Sequence, residues 1–286
     1  MRGTLVPHWT RVVNRCTALI VREWGEMFPM FIVSEYPKSG GTWLGNMASD
    51  CLQVPFPQHY RMPLLMTCVI HNHWKYSPKY RRPFYLYRDG RDVMVSLYFH
   101  RMRKIAAQRD ANDRQTKRVY EGLFGKGYDP GDVRGHLARF IEYEFENPRG
   151  SRITWKQHIE SWHDPEGRPH VAYLSYEQLL SEPHATLKRA VEHVAGRTIE
   201  DWRVEMSVDK FSMARQTGRR PGQEDRSSFI RKGVAGDWVN QFTRESAEVF
   251  HDLAGDVLIR LGYERDASWV ERAGASAPQV AVANGR

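Results

Sequence analysis

The chain has 286 residues, 41% of them hydrophobic and 27% charged, enough to bury a large core and within reach of one α/β domain. No repeat period is apparent, which excludes a solenoid or propeller, and the apolar run Thr17–Val21 is too short to span a bilayer. A formal charge of +8 favours anionic partners but leaves polynucleotide, membrane surface and small polyanion all open.

Taken in chain order, Val12, Val13, Cys16, Leu19 and Ile20 recur at helical spacing. Residues 1–29 are therefore expected to form an amphipathic helical segment packing on the main domain. Four compact apolar runs predict buried strands at Met30–Ser34, Thr67–His71, Pro83–Tyr87 and Val171–Ser175. Helical patterns follow at Thr42–Leu52, Arg91–Met102, Gly135–Glu146 and Pro183–Val194. Strands alternating with helices predict an α/β single domain, residues 30–270, with a central, mainly parallel sheet flanked by helices. Residues 102–134, charged and glycine-bearing, are expected to be a mobile insert or lid, and 215–228 a long loop. Residues 271–286 are expected to be a disordered tail. Cys16, Cys51 and Cys68 form no disulfide framework and are expected as packing residues of a cytoplasmic protein.

Three motifs suit anions. Tyr36-Pro37-Lys38-Ser39-Gly40-Gly41-Thr42-Trp43 follows the first strand and opens a helix. Its glycines let backbone N–H groups converge, Lys38 adds a charge, and Ser39 and Thr42 add hydroxyls. In Arg88-Asp89-Gly90-Arg91-Asp92-Val93-Met94-Val95-Ser96, Arg88 stands where a strand ends and can clamp a phosphate in bidentate fashion. Asp89 there is expected to cap the turn. In Phe229-Ile230-Arg231-Lys232-Gly233, two cations precede a glycine, a pattern suited to folding over a phosphate.

Together the motifs Tyr-Pro-Lys-Ser-Gly-x-Thr-Trp, Arg-x-x-x-Asp-x-x-x-Ser and Arg-Lys-Gly-x-x-Gly-Asp-Trp, in this order, resemble the cytosolic-type sulfotransferases that use 3'-phosphoadenosine-5'-phosphosulfate (PAPS). The resemblance runs from about Phe31 to Leu261 and implies a P-loop-like phosphosulfate-binding loop. It further implies that Lys38, Ser39, Gly40, Gly41 and Thr42 hold the 5' phosphosulfate, and that Arg88, Ser96, Arg231, Lys232 and Gly233 hold the 3' phosphate. Trp43 would stack on adenine with Tyr176 at its edge, and Phe211 and Phe229 would be aromatic neighbours. The product would be 3',5'-bisphosphoadenosine (PAP), with no metal.

The family carries Lys-x-His where this chain has His71-Asn72-His73, so His73 matches the catalytic base and His71 replaces the lysine. The base is accordingly expected at His73, with His71 the alternative, and Lys38 at the leaving oxygen. The acceptor is expected to be a small molecule or carbohydrate, offering a hydroxyl or an amine. Phe56, Tyr60, Trp74, Tyr98, His100, Phe140 and Trp155 are candidates to line a cleft or, equally, to belong to the core. The family's dimer motif is degraded here to Val239-x-x-x-Thr243-Arg244-x-x-x-Glu248, which leaves the oligomeric state open. A nucleotide kinase and a non-catalytic basic nucleotide- or nucleic-acid-binding protein are the rival readings. The kinase lacks its Gly-Lys-Ser/Thr loop, and the cations sit in strand-end motifs rather than on a helix stripe, which argues against nucleic acid.

Overall fold

Four strands, β1 Phe31–Glu35, β2 Val69–Asn72, β3 Phe84–Tyr87 and β4 Ala172–Ser175, pair in the order β2-β1-β3-β4, all parallel. The computed structural model describes residues 8–24, 27, 30–58, 66–108, 111–149, 151–164 and 167–273. The chain is an α/β domain, and each of the four predicted strands is present with its bounds shifted by a residue or two. Within the domain two compact units are distinguished, residues 1–88 with 150–235 and residues 89–149 with 236–286.

The first unit holds the sheet. One face packs on α2 Gly41–Leu52, α8 Pro183–Ala195 and α9 Asp201–Lys210, through Val33, Leu86 and Leu174 against Leu44, Met47, Leu187, Val191 and Val204. The opposite face carries aromatics against α6 Trp155–Trp162. There Tyr85 stacks on Trp162 with ring centroids 4.6 Å apart, and its hydroxyl meets His158 Nδ1 at 3.1 Å. Strand β4 ends where Ser175 becomes the N-cap of α7 Tyr176–Ser181: its hydroxyl accepts from the Gln178 N–H, and the Gln178 side chain accepts from the Ser175 N–H. Pro183, at the first position of α8, suits a helix start because the missing N–H has no partner to lose there.

The N-terminal helix forms as α1 His8–Trp24, but its phase differs from the sequence expectation. Thr17 and Val21 are buried, while Val12, Cys16 and Leu19 are exposed. The apolar stripe is wide enough to permit either phase, and packing selects the side holding Thr17, whose hydroxyl donates to the Val13 carbonyl at 3.0 Å. Cys16 is thus not a packing residue, whereas Cys51 and Cys68 are buried.

The second unit is helical: α3 Gly90–Ala107, α4 Ala111–Phe124, α5 Val133–Glu146, α11 Arg244–Arg260 and α12 Trp269–Arg272. Asp89 caps α3 by accepting from the Arg91 N–H. The buried Arg91 guanidinium lies between Asp89 and Glu264 and 3.7 Å from the centre of the Trp238 ring system. The region 102–134, expected as a mobile insert or lid, is largely helical among the described residues. Tyr120 of α4 is buried and donates to Glu144 at 2.7 Å, and Arg101 clamps the same carboxylate through Nε and Nη2, each at 3.1 Å. Tyr120 thus ties α4 to a buried carboxylate, a contact that composition alone does not reveal. Thr243 caps α11, and Arg244 and Glu248 of the degraded dimer motif pair with each other at 2.8 Å. Helix α12 takes in Glu271 and Arg272, the first residues of the expected tail, and 274–286 lie outside the described residues.

Burial, with a smaller push from His73, drives the His158 pKa from 6.5 down to about 3, a hydrogen bond to the Trp74 backbone offsetting only part of it. Between those values the unfolded chain binds a proton that the folded chain refuses, so stability falls as pH drops through this window. The expected slope reaches at most about 1.4 kcal/mol per pH unit. Urea unfolding of wild type and His158→Asn between pH 7 and 4 should show a steeper acid loss in wild type; parallel curves would remove His158 as the cause.

Candidate active site

Parallel strands present their carboxyl ends on one edge, so the residues leaving β1, β2, β3 and β4 converge there. Those residues are the loop after Glu35, the pair His71 and His73, Arg88, and Tyr176. All belong to the first unit.

The loop between β1 and α2 turns through two left-handed residues, Lys38 at φ 78° and Gly40 at φ 107°. Glycine accepts that conformation without penalty; for lysine it costs on the order of 1 kcal/mol. Gly40 is also held close under Tyr176, since a Cβ there would lie 2.9 Å from the tyrosine ring. Ser39 is fully buried, and its Oγ has no hydrogen-bond partner among the described residues. A buried hydroxyl without a partner is costly unless a ligand supplies one.

Beneath this loop lies a residue that the sequence reading passed over. Glu35 ends β1 and is 3% exposed. His71 sits opposite Val33 in the β1–β2 register, on the same sheet face as Glu35, so the two side chains meet diagonally. His71 Nε2 lies 2.9 Å from Glu35 Oε1, and the Gly41 N–H donates to Glu35 Oε2. Burial would push the Glu35 carboxyl up, but the His71 hydrogen bond, the charges of His71 and His73 and the Gly41 amide outweigh it, so the group lies below its usual range and is a carboxylate. A carboxylate only accepts, so His71 donates from Nε2. His73 Nδ1 lies 3.0 Å from the Glu35 carbonyl, which also only accepts; Nδ1 therefore carries a proton, and a neutral His73 ring keeps its lone pair on Nε2. The signal available in the sequence was an acid closing an apolar strand directly before an anion loop.

Arg88 draws the first and third motifs together. Its Nη1 donates to the Lys38 carbonyl at 3.3 Å and its Nη2 to the Val234 carbonyl at 3.1 Å, while the guanidinium lies 4.1 Å from the Tyr176 ring centre. Lys38 Nζ stands 4.5 Å from the centre of the Phe229 ring, itself largely exposed. Trp43 meets Tyr176 edge-on at 5.9 Å and donates from Nε1 to the Phe211 carbonyl at 3.0 Å. Thr42 lies in the first turn of α2.

The expected loop at 215–228 is partly helical, α10 Met213–Thr217, and the rest is laced to the third motif. The Gly222 and Asp225 N–H groups donate to the Lys232 and Arg231 carbonyls, each at 2.8 Å. Arg219 donates to the Arg231 carbonyl at 2.9 Å and also to that of Ile230, and Glu224 pairs with the Arg231 guanidinium. Gly233, at φ 64°, packs so tightly on Met213 that a Cβ would meet its sulfur at 2.3 Å. Ser96 lies on α3, in the second unit. There Asp92 of the same motif accepts from the Gly236 and Trp238 N–H groups at 2.7 and 2.9 Å.

Among the expected cleft residues, Phe140 and Trp155 are fully buried core. Tyr98 is buried too, with its hydroxyl on His136 Nδ1 at 3.0 Å. For these three the structure selects the core alternative, where large aromatics bury more area than a cleft can offer. His100 is half-buried on α3, and Tyr60 lies outside the described residues. Phe56 and Trp74 are half-buried beside the histidine pair, with the Phe56 ring 6.5 Å from that of His71.

Residues 58–262 match the sulfotransferase domain family. The chain belongs to that family of enzymes. It is 22% identical over 277 residues to sulfotransferase 1C2 of Oryctolagus cuniculus, with 79% of this chain and 84% of the relative covered. To sulfotransferase 1A1 of Bos taurus it is 25% identical over 264 residues, covering 77% and 80%. The fold is also that of a mouse sulfotransferase, SULT7A1, solved in complex with PAP, at TM-score 0.59 and 19% identity over 93% of this chain and 96% of the other. Retinol dehydratase, solved with androsterone and PAP, has TM-score 0.56 and 15% identity, each chain covered to 85%. Among the described residues no helix is long and apolar enough to cross a membrane.

The backbone of Gly41 is ordinary, yet a Cβ there would lie 2.5 Å from His71 Nε2 and 2.6 Å from Glu35 Cδ. Gly41→Ala should therefore cost about 1–3 kcal/mol through overpacking. Gly122→Ala on α4, where nothing lies within 4 Å, should instead add about 0.5–1 kcal/mol from helix propensity. Urea unfolding of the two variants checks the opposite signs.

Proposed function

We propose that the chain transfers the sulfuryl group of PAPS to a hydroxyl, or an amine, of a small-molecule or carbohydrate acceptor. The observation that carries this reading is the convergence, on one strand edge, of an anion loop, a strand-end arginine and an indole. Arg88 spans the Lys38 and Val234 carbonyls, and Trp43 and Tyr176 stand beside that link. The residues suit a doubly phosphorylated adenosine: the Ser39 hydroxyl is buried without a partner, and Gly40 admits the tight backbone turn such a loop needs. Two proteins sharing the fold were solved in complex with PAP.

On this reading Lys38, Ser39, Gly40, Gly41 and Thr42 hold the 5' end of the nucleotide. The Gly41 N–H is engaged by Glu35, so Gly41 serves mainly by leaving space. Arg88, Arg231, Lys232 and Gly233 hold the 3' phosphate, and Trp43 faces adenine with Tyr176, Phe211 and Phe229 around it. The acceptor's oxygen attacks sulfur while its proton passes to His73 Nε2, the atom left with a lone pair when Nδ1 is bonded to the Glu35 carbonyl. The bond between sulfur and the bridging oxygen breaks, and its electron pair leaves with PAP. Lys38 moves off the Phe229 ring and stabilises that developing charge. His71 is committed to Glu35 through Nε2 and so positions rather than accepts the proton. Transfer takes place in the cytoplasm, in keeping with the cytosolic-type motifs.

PAP at about one hundred times its Kd should stabilise the chain by about 2.7 kcal/mol in a thermal-shift titration without magnesium, with no comparable shift from 5'-AMP. His73→Ala should keep that shift and lose about 100-fold or more in turnover, whereas Arg231→Ala should lose the shift. Equal shifts from PAP and AMP would remove the cofactor assignment, and a fully active His73→Ala would remove the base.

A further inference from the structure

The carboxylate–imidazole cluster under the loop has a second capacity. Glu35, His71 and His73 each offer a donor atom, a carboxylate oxygen and two ring nitrogens, and these atoms lie within 4.8 Å of one another. Two imidazoles and one carboxylate are a ligand set for zinc-class ions, borderline in softness, that leaves coordination positions open. We propose that Glu35, His71 and His73 bind a divalent transition-metal ion such as Zn2+, and that the bound ion takes His73 away from the acceptor's proton. The blocking half rests on the transferase reading; the metal site does not.

The distances suit an ion. Glu35 Oε1 and His71 Nε2 are 2.9 Å apart, the separation of two donors meeting a metal at about 2.1 Å each and roughly a right angle. Binding replaces the hydrogen bond between them, and the Nε2 proton moves to Nδ1 of the same ring or to solvent. The outer contacts that ligands need are already built. Glu35 Oε2 is held by the Gly41 N–H, and the Glu35 carbonyl orients the His73 ring through Nδ1. Glu35 and the His71 side chain are nearly enclosed, and His73 is half-buried, the side from which solvent and an ion arrive. Space for this arrangement depends on Gly41, because a Cβ there would press on both His71 and Glu35. The sequence shows no metal-ligand spacing, since 36 residues separate Glu35 from His71 and only the strand pairing joins them.

The test uses the full chain, stripped with a chelator and dialysed against Zn2+, with Co2+ as the spectroscopic probe. The expected result is one zinc per chain and visible cobalt bands of a nitrogen- and oxygen-ligated ion. Glu35→Gln and His71→Asn, which keep hydrogen-bonding capacity, should each weaken zinc binding tenfold or more, while the exposed His184→Ala should not. Wild-type protein that takes up no stoichiometric zinc and shows no cobalt bands overturns the site, as does binding unchanged in both cluster variants. In a separate assay of transfer from PAPS to a panel of phenols and sugars, zinc should cut turnover at least tenfold, and chelation should restore it. Turnover unaffected by saturating zinc overturns the blocking role. A chain that binds zinc as described yet transfers no sulfuryl group overturns the transferase reading together with that role, and the metal site stands.

Discussion

The charge on which the site is built is a buried carboxylate, not a cation. An unpaired carboxylate as enclosed as Glu35 would cost several kcal/mol, so its oxygens must be answered by donors. His71 answers one and the Gly41 amide the other, while the Glu35 carbonyl holds His73. A single residue thus sets the orientation of two imidazoles and anchors the first turn of α2. Gly41 is the space those contacts occupy.

Above that anchor, the backbone turns through two left-handed residues, Lys38 and Gly40, and Arg88 ties the Lys38 carbonyl to the Val234 carbonyl of the third motif. The third motif is in turn laced by Arg219 and by the Gly222 and Asp225 amides. Cations that look alike in sequence therefore divide by task. Arg88 and Arg219 each donate to two backbone carbonyls and so join chain segments, whereas Arg91 is buried between Asp89 and Glu264 in the second unit. On the two readings proposed for it, the cluster of Glu35, His71 and His73 would either handle the acceptor's proton or ligate a metal, and each use excludes the other.

Legibility in the sequence followed the range of the interactions. Strands, caps and the three anion motifs are local, so β1 through β4, the cap at Asp89 and the loop at Lys38 to Trp43 could be read directly. The phase of α1 could not, because an apolar stripe that admits two packings is decided by its partner. The helix α4 was hidden because Arg101, Tyr120 and Glu144 look like surface until they are buried together. For the aromatics Phe140, Trp155 and Tyr98 the sequence left cleft and core open, because burial is invisible in composition.

By itself the sequence determined the alternation of strand and helix, the three anion motifs and the family they mark, since each lies within a few consecutive residues. Only the tertiary structure decided that Glu35 meets His71, that Arg88 bridges two loops, and which ring nitrogen of His73 carries the proton. Those depend on parallel pairing, which sets residues far apart in the chain side by side, and on burial, which obliges every polar atom to find a partner.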